Sequence, residues 1–504
     1  MTGACNWLRF LIPAVLLSLI SCGTTKMTTS QYLSYLDSEN YAPCISYLEA
    51  KNKKSNPDIV RDNFDLAMMR HFQKDYDSSL QILNVTDRLM DDAVTESISQ
   101  GFAAFFVNEN AKEYTASPYE YVYINIFNAL NYYNKGDVEE AAVEIRRLNE
   151  KQRKFLNDYG EWLKNENDDG ELEIPLSYEV LNLDAIMIER GSPKAPDESD
   201  IFRDSATARY LSLVFAMMDD SVNSSWNISA DARTLRALNK SFDVDSEISI
   251  SKGKGRLDVL AFSGLIGRRG ERRVRIGPVP GIQFPLERGF VFVPPFDIEF
   301  AYPEFPAPQK KLGPVSVGTI GWGPSFTLYP GKSEITEMPS NSVGRIQVIV
   351  EGKNQKKDCA LLEDFNYSVQ QDVNIKARKA YNRSVGRSLS KKVTAVAGVT
   401  ASMFIAENAI RKNENLLTIA AYAAAYLGAA KAIDQIDRTE TADIRQVYAL
   451  PAQSYATGFE LEPGKYSLRV QYFSKAGQLI FEERFEDIEV RNGKTVLVES
   501  SCQK

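Results

Sequence analysis

From residue 31 to about residue 245, apolar positions recur three and four residues apart. That is the period of helices that bury one face. Three stretches in this half look alike. They open Glu39-Asn40-Tyr41, Lys74-Asp75-Tyr76 and Lys135-Gly136-Asp137-Val138. Each has a polar turn, then Tyr or Val, then an amphipathic helix. Tyr41 and Tyr76 stand 35 positions apart, close to the tetratricopeptide period. The next interval, to Val138, is longer by roughly 28 residues than that period, so an insertion interrupts the array. Phe64, Leu66, Ala67 and Phe72 suit the first helix of the second pair, and Tyr123, Phe127, Leu130 and Tyr133 that of the third. Helix pairs of this kind stack because one pair cannot bury its apolar face alone. An irregular helical domain without repeats is the alternative. Further helical spacing continues at Leu211, Phe215 and Met218, then at Leu235, Leu238 and Phe242.

Near Ser246 the pattern changes to short runs broken by Gly and Pro, which predict strands. Residues 256–262, 315–317 and 344–350 read as strands, and 290–305 is aromatic and proline-rich. After Gly352 the spacing returns to helix. Leu361-Leu362-Glu363-Asp364-Phe365 leads into an amphipathic stretch, 372–392. A nearly uncharged run, 393–406, and a second apolar run, 416–433, follow. Ala420, Ala424, Gly428 and Ala432 repeat every four residues, the spacing of closely approaching helices. An Ala-rich hairpin buried on protein is expected, and a membrane-inserted pair is the alternative. Tyr466, Leu468, Val470 and Tyr472 then alternate with polar residues. Turns at Pro463-Gly464 and Asn492-Gly493 flank strands of a small antiparallel β-sandwich.

The expected fold class is therefore α+β multidomain, with tetratricopeptide-like repeats over 31–245 and a β region over 246–352. A helical segment over 353–437 and a β-sandwich module over 438–504 complete it.

Length agrees, since 504 residues suffice for about three domains. The net charge of −8 gives no general attraction to nucleic acid. The one histidine, His71, stands in a helical pattern and reads as a satisfied helix residue, which leaves little room for triad or zinc-hydrolase chemistry. No CxxC pair exists. Cys44, Cys359 and Cys502 allow at most one disulfide. No metal, cofactor or catalytic residue is assigned. The one basic cluster lies at 268–275, with Arg268, Arg269, Arg272 and Arg273 as candidate contacts to phosphates, lipid headgroups or an acidic partner. A solvated hairpin tip, with Arg273 and Arg275 on the outer face of a strand, is the other reading.

The amino terminus adds a compartment. Leu16-Leu17-Ser18-Leu19-Ile20-Ser21-Cys22 resembles the lipobox of bacterial lipoproteins, Leu-x-small-Cys. The resemblance implies cleavage after residue 21 and lipid attachment at Cys22. The apolar run before it, about ten residues long and containing Pro13, is too short to span a bilayer. Residues 22–30 read as a flexible polar tether. Gly23 in second position leans toward the outer membrane. An ordinary secretory leader with an incidental cysteine is the alternative.

A second resemblance is carried by Asp443-Ile444-Arg445-Gln446-Val447-Tyr448-Ala449-Leu450-Pro451-Ala452, by Pro463-Gly464-Lys465-Tyr466 and by the Leu361–Phe365 motif. Together with the order of segments, these are similar to a family of uncharacterised bacterial lipoproteins. Members are similar to proteins encoded near lipoprotein activators of peptidoglycan synthases. The family has no established activity, so the resemblance bears on compartment and architecture. The lipobox, the helix pairs and the lack of a catalytic constellation give the expected function, a non-enzymatic, lipid-anchored envelope scaffold or adaptor that binds envelope proteins through its helices in cell-wall synthesis or surface assembly. A carboxylate-dependent wall-active enzyme is the first alternative, for which Glu161, Asp168, Asp169 and Glu171 near Trp162 are candidates. A membrane-inserted secretion element is the second. Oligomeric state is not readable from these features.

Overall fold

The computed structural model describes residues 27–99, 113–166, 204–218, 224–244, 250–279, 282–286, 289–293, 296–305, 315–317, 326–334, 341–353, 355–410, 431 and 441–504. The chain is mixed α+β, with helices first and sheets after them. Cys22, Asp168, Asp169, Glu171 and nearly all of the second apolar run, 416–433, lie outside the described residues. Glu161 falls in a helix whose side chains there are likewise not described.

Helices follow one another in packed pairs: α1 (Thr29–Asp37) with α2 (Tyr41–Asn52), α3 (Ile59–Phe72) with α4 (Tyr76–Ser99), α5 (Pro118–Asn134) with α6 (Val138–Glu166), and α7 (Ala206–Met218) with α8 (Ser224–Leu238). The first three pairs turn in the same way. Glu39, Lys74 and Gly136 take φ of +57°, +62° and +87°. Each of these residues donates its N–H to the carbonyl three residues back, at Leu36, His71 and Tyr133. The next residue donates to the carbonyl five back, at Tyr35, Arg70 and Tyr132, and all six bonds span 2.8–3.0 Å. This double bond across a left-handed residue is a Schellman helix end. The sequence likeness at these three positions is thus a likeness of backbone. The extra length before Val138 begins with α4, which runs on to Ser99.

The first helices of successive pairs, α3, α5 and α7, touch one another and turn toward the strands. Every residue from Pro118 to Asn131 in α5 is buried.

The strands are β1 (Gly255–Leu265), β2 (Gly270–Val279), β3 (Ile282–Leu286), β4 (Gly289–Val293), β5 (Phe296–Glu304), β6 (Val315–Val317), β7 (Phe326–Glu334), β8 (Val343–Val350), β9 (Gln355–Asp358), β10 (Ala360–Asp364), β11 (Pro451–Leu461), β12 (Gly464–Ser474), β13 (Leu479–Val490) and β14 (Thr495–Cys502). One four-stranded sheet runs β10-β11-β1-β14, and a second runs β13-β12-β8-β9. A third, β5-β2-β7-β6, packs on the long helix α9 (Phe365–Ile410), while β3 and β4 pair alone. The seam of α9 with the third sheet is specific: Ser384 Oγ accepts from Ala301 N at 3.1 Å, and the Tyr302 and Tyr381 rings meet edge-on.

Three segments differ from the sequence expectation. The turns after β11 and β13 are not hairpins within one sheet: β11 and β14 lie in the first sheet, β12 and β13 in the second. The physical reason is β1, a wholly buried strand that needs partners on both edges; it takes β11 antiparallel and β14 parallel. Segments 246–352 and 438–504 therefore interleave. Residues 355–364 form two short strands before the helix, because the exposed Lys356, Lys357 and Asp358 pair as an edge strand along β8. Finally, 365–410 is one continuous helix. Among the described residues no helix is long and apolar enough to cross a membrane.

β1 alternates between two cores. Leu257, Val259 and Ala261 join Val348, Leu468, Val470, Tyr472 and Val498 in a cluster shared with the second sheet. Leu260 and Phe262 join Phe64, Phe127, Tyr210 and Phe365 in the helical core. Ahead of them on the same face lie Arg256 and Asp258, a buried ion pair at 2.9 Å. Gly458 on β11 leaves room for it, since a Cβ there would stand 1.9 Å from the Arg256 guanidinium.

Candidate functional site

Residues 441–450 enter β11 without forming helix or strand, yet Gln446, Val447, Ala449 and Leu450 are fully buried. A buried backbone outside regular structure must find partners for its N–H groups. Here the partners are side chains of the inner helices. Val447 N–H donates to Glu120 Oε1 of α5 at 2.9 Å. Tyr448 and Ala449 N–H both donate to Asp65 Oδ1 of α3, at 2.7 and 2.8 Å. Arg445 reaches Asp58 at the start of α3 at 2.9 Å and doubles back to Asp443. From the other side, Gln446 Nε2 donates to Gly267 O and its Oε1 accepts from Arg269 N, each at 2.8 Å. Ile266 N–H closes on Leu450 O at 2.8 Å. The segment thus lies between the helical array and the β1–β2 loop, held by its backbone, by Arg445 and Gln446, and by the buried side chains of Val447, Ala449 and Leu450.

The receptors are themselves positioned. Glu120 follows the Ser117-Pro118 helix start by three and two residues and accepts from Ser117 N–H at 2.7 Å and from Tyr114 OH at 2.6 Å. Asp65 also accepts from Tyr32 OH at 3.1 Å. Burial raises the Asp65 carboxyl to about 7, although the Ala449 and Tyr448 N–H groups and Arg61 pull the other way. Asp58 is different: burial works against its charge, but Arg61, Arg445 and Lys51 outweigh it and hold the carboxyl below its ordinary range. Beneath the segment, Arg269 pairs with Asp372 of α9 at 2.6 Å and donates to Ser117 Oγ at 2.8 Å. Lys376 completes this cluster, 2.9 Å from Asp372. Burial lowers the Lys376 ammonium, with Arg269 adding to the effect and Asp372 opposing it.

The four arginines singled out in sequence are all engaged within the chain. Arg268 pairs with Asp37 of α1, and Arg269 with Asp372. Arg272 grips Glu304, at 2.8 Å through Nε and 2.7 Å through Nη2. Arg273 pairs with Glu271 at 2.6 Å. Arg268 and Arg269 are buried, because the β1–β2 loop folds into the seam and not outward as a hairpin tip. His71, by contrast, is satisfied as its helical context suggests. Its Nδ1 lies 2.7 Å from Asn131 Oδ1 and its Nε2 2.7 Å from Glu499 Oε1 of β14. Burial disfavours the charged ring, but Glu499 and both hydrogen bonds outweigh it and hold the imidazole above its usual value. Cys44, Cys359 and Cys502 are free thiols.

Sequence reasoning did not single out Asp65, Glu120 or Glu363. Glu120 had a signal, the Ser-x-x-Glu spacing at a helix start. Glu363, which accepts from Ser205 Oγ at 2.6 Å and Thr207 N–H at 2.8 Å at the start of α7, lies in the Leu361–Phe365 motif already noticed. Asp65, in the apolar run Phe64-Asp65-Leu66-Ala67, had only its incongruity.

Among the described residues no group of His, Cys, Asp and Glu is arranged to hold a metal. The arrangement around 441–450 accepts hydrogen bonds from three successive backbone N–H groups and pairs an arginine. Comparison with family models, curated proteins and solved structures finds no match.

Proposed function

We propose that this chain is a lipid-anchored scaffold or adaptor of the bacterial cell envelope, attached through Cys22 and more at home in the outer than in the inner membrane. It binds protein partners through its helix pairs, in cell-wall synthesis or surface assembly. The pairs are read as tetratricopeptide-like, and the two sheets sharing an apolar cluster as a β-sandwich. The observation that carries the reading is the hold of the α3 and α5 face on a stretch of polypeptide outside regular structure, through Asp58, Asp65 and Glu120. Stacked helix pairs form concave surfaces that bind partners.

The direct experiment is crosslinking of the lipidated protein in its own envelope, followed by capture and mass spectrometry. Recovery of a peptidoglycan synthase or its lipoprotein activator is expected. Recovery of the chain alone, carrying glycan, would transfer the weight to a wall-active enzyme. Cys22→Ser tests the anchor separately: the variant should leave the membrane fraction, and retention there would count against lipidation.

A further inference from the structure

We infer that the α2–α3 turn, with Lys53 and Lys54, rests on the anionic headgroups of the membrane that holds the chain, so that the far ends of the sheets stand away from the bilayer. The inference rests on the lipid anchor at Cys22 proposed above and deepens it by giving the molecule an orientation on its membrane.

The tether decides which end faces the lipid. Its sequence suggests a free segment over 22–30, but the fold claims the last four of those residues. Met27 is half-buried against the helical core. Thr28 caps α1: its Oγ1 accepts from Gln31 N–H at 3.2 Å, and its own N–H donates to Gln31 Oε1 at 3.0 Å. That reciprocal pair fixes the entry of the chain into the helix. From Cys22 to Met27 the chain can span at most about 18 Å.

Met27 and the α2–α3 turn share one end of the fold. Helices α1 and α2 run antiparallel, with the Tyr32 and Tyr47 rings 6.4 Å apart and Cys44 Sγ 3.5 Å from Tyr32 O. Tyr114 N–H donates to Pro57 O at 2.7 Å, three residues before Ser117, so α5 also starts at this end. The opposite end of α5 carries Tyr133, whose OH accepts from Leu497 N–H near the start of β14 at 2.9 Å. β1 runs parallel to β14, so the turns 251–254 and 491–494, which lead into these strands, lie at that far end. The 17 residues of α5 alone cover about 25 Å, more than the tether can reach. The far end therefore cannot rest on the membrane.

Charge selects the end over the side. Lys53 and Lys54 are exposed, and neither meets an acid among the described residues. The acids of the turn are already held: Asp58 and Asp62 by Lys51 and Arg61, and Asp58 by Arg445 as well. Glu113 is the exposed acid beside Tyr114. Against it stand Lys53, Lys54 and, in the tether, Lys26. Laying α1 and α2 flat would instead bring their exposed carboxylates, Asp37 and Glu49, to an anionic surface. A chain of net charge −8 thus turns a positive end toward the side from which its tether leaves.

The test uses the full lipidated chain on vesicles of phosphatidylcholine and phosphatidylglycerol in equal parts, with the Cys22→Ser chain in solution as reference. Both receive a brief pulse of an uncharged amine-acylating reagent, and mass spectrometry reads the modification of each lysine. Lys53 and Lys54 should react about tenfold more slowly on the vesicles, as two lysines at an anionic surface imply. Lys252 and Lys465, exposed at the far end, should react equally in both. Unchanged rates at Lys53 and Lys54, or protection of Lys252 and Lys465 instead, overturn the inference. Equal protection on phosphatidylcholine alone overturns it too, since the headgroup charge would then play no part. Flotation with the vesicles reads the anchor separately. A chain that does not float loses the anchor and the inference together, whereas one that floats with Lys53 and Lys54 unprotected loses the inference alone.

Discussion

The two faces of the β10-β11-β1-β14 sheet are built from the same strands and follow opposite rules. Toward the second sheet, β1 presents Leu257, Val259 and Ala261, met by Val348, Leu468 and Val470. Toward the helices, it presents the Arg256–Asp258 pair followed by Leu260 and Phe262, and β14 adds Glu499 against His71 and Asn134. Apolar burial is large and non-directional, so it holds two surfaces together without fixing how one sits on the other. Hydrogen bonds and ion pairs have strict geometry, so they fix position, at a desolvation cost that returns little net stability. The contrast teaches that the sheet–sheet interface supplies adhesion and the helix–sheet interface supplies register. A helix array could sit on a wholly apolar sheet at several angles; His71 on Glu499, Tyr210 on Asp258 and Thr207 on Ser454 select one.

The sharpest way to break this contrast is to strip a buried charge from the helix side. Arg269→Ala leaves Asp372 with Lys376 as its remaining cationic partner and strips the buried Ser117 hydroxyl and the Arg445 carbonyl of the guanidinium, and should cost about 2–3 kcal/mol in urea unfolding. A loss below about 1 kcal/mol would mean that the seam is far more tolerant than its geometry implies. Next comes the apolar side. Leu468→Ala opens a cavity between the sheets and should cost about 3 kcal/mol, with a loss that is flat from pH 5 to 8.

pH then separates the two faces. The Asp65 carboxyl keeps its proton up to about 7 in the folded chain, whereas an unfolded one gives it up near pH 4. Between these values the folded state binds more protons, so this contribution to stability falls as pH rises from about 4 to 7. Asp65→Asn should flatten that part of the stability–pH curve, and an unchanged slope would show that Asp65 does not titrate in this window. His71, whose folded value is also raised, adds in the same direction: its contribution is present at low pH and fades as pH climbs through its folded pKa. The smallest effect concerns neither face and calibrates both. Glu39 holds a left-handed conformation at φ +57°, and Glu39→Gly should stabilise by about 0.5–1 kcal/mol. Destabilisation would mean that the Glu39 side chain contributes more than its backbone strain costs.

How much of this was readable from sequence follows the range of each signal. The helix pairs were readable because their cause is local: a turn, then apolar residues at helical spacing. So were β1, β8 and β12, whose alternation or apolar runs are confined to a few residues. What failed was partner choice. Pro463-Gly464 and Asn492-Gly493 are tight turns whichever sheet the next strand joins, and the turn residues carry no record of the vacancy beside β1. The arginines failed for a related reason. Five of them in eight residues look solvated unless Asp37, Glu304 and Asp372, each distant in sequence, are known to converge on them. The 443–452 motif was noticed as a likeness only. Its role depends on Asp58, Asp65 and Glu120, hundreds of residues earlier.

β1 also sets a timetable for manufacture. Its two neighbours come from residues 451–461 and 495–502, so during synthesis the strand emerges roughly 190 residues ahead of the first and roughly 230 ahead of the second. Until the later strands are made, an eleven-residue strand destined for full burial has open edges, and the helices before it lack the sheet they settle on. The sheet around β1 closes only once residues 495–502 have been made, and until then its unpaired edges need protection.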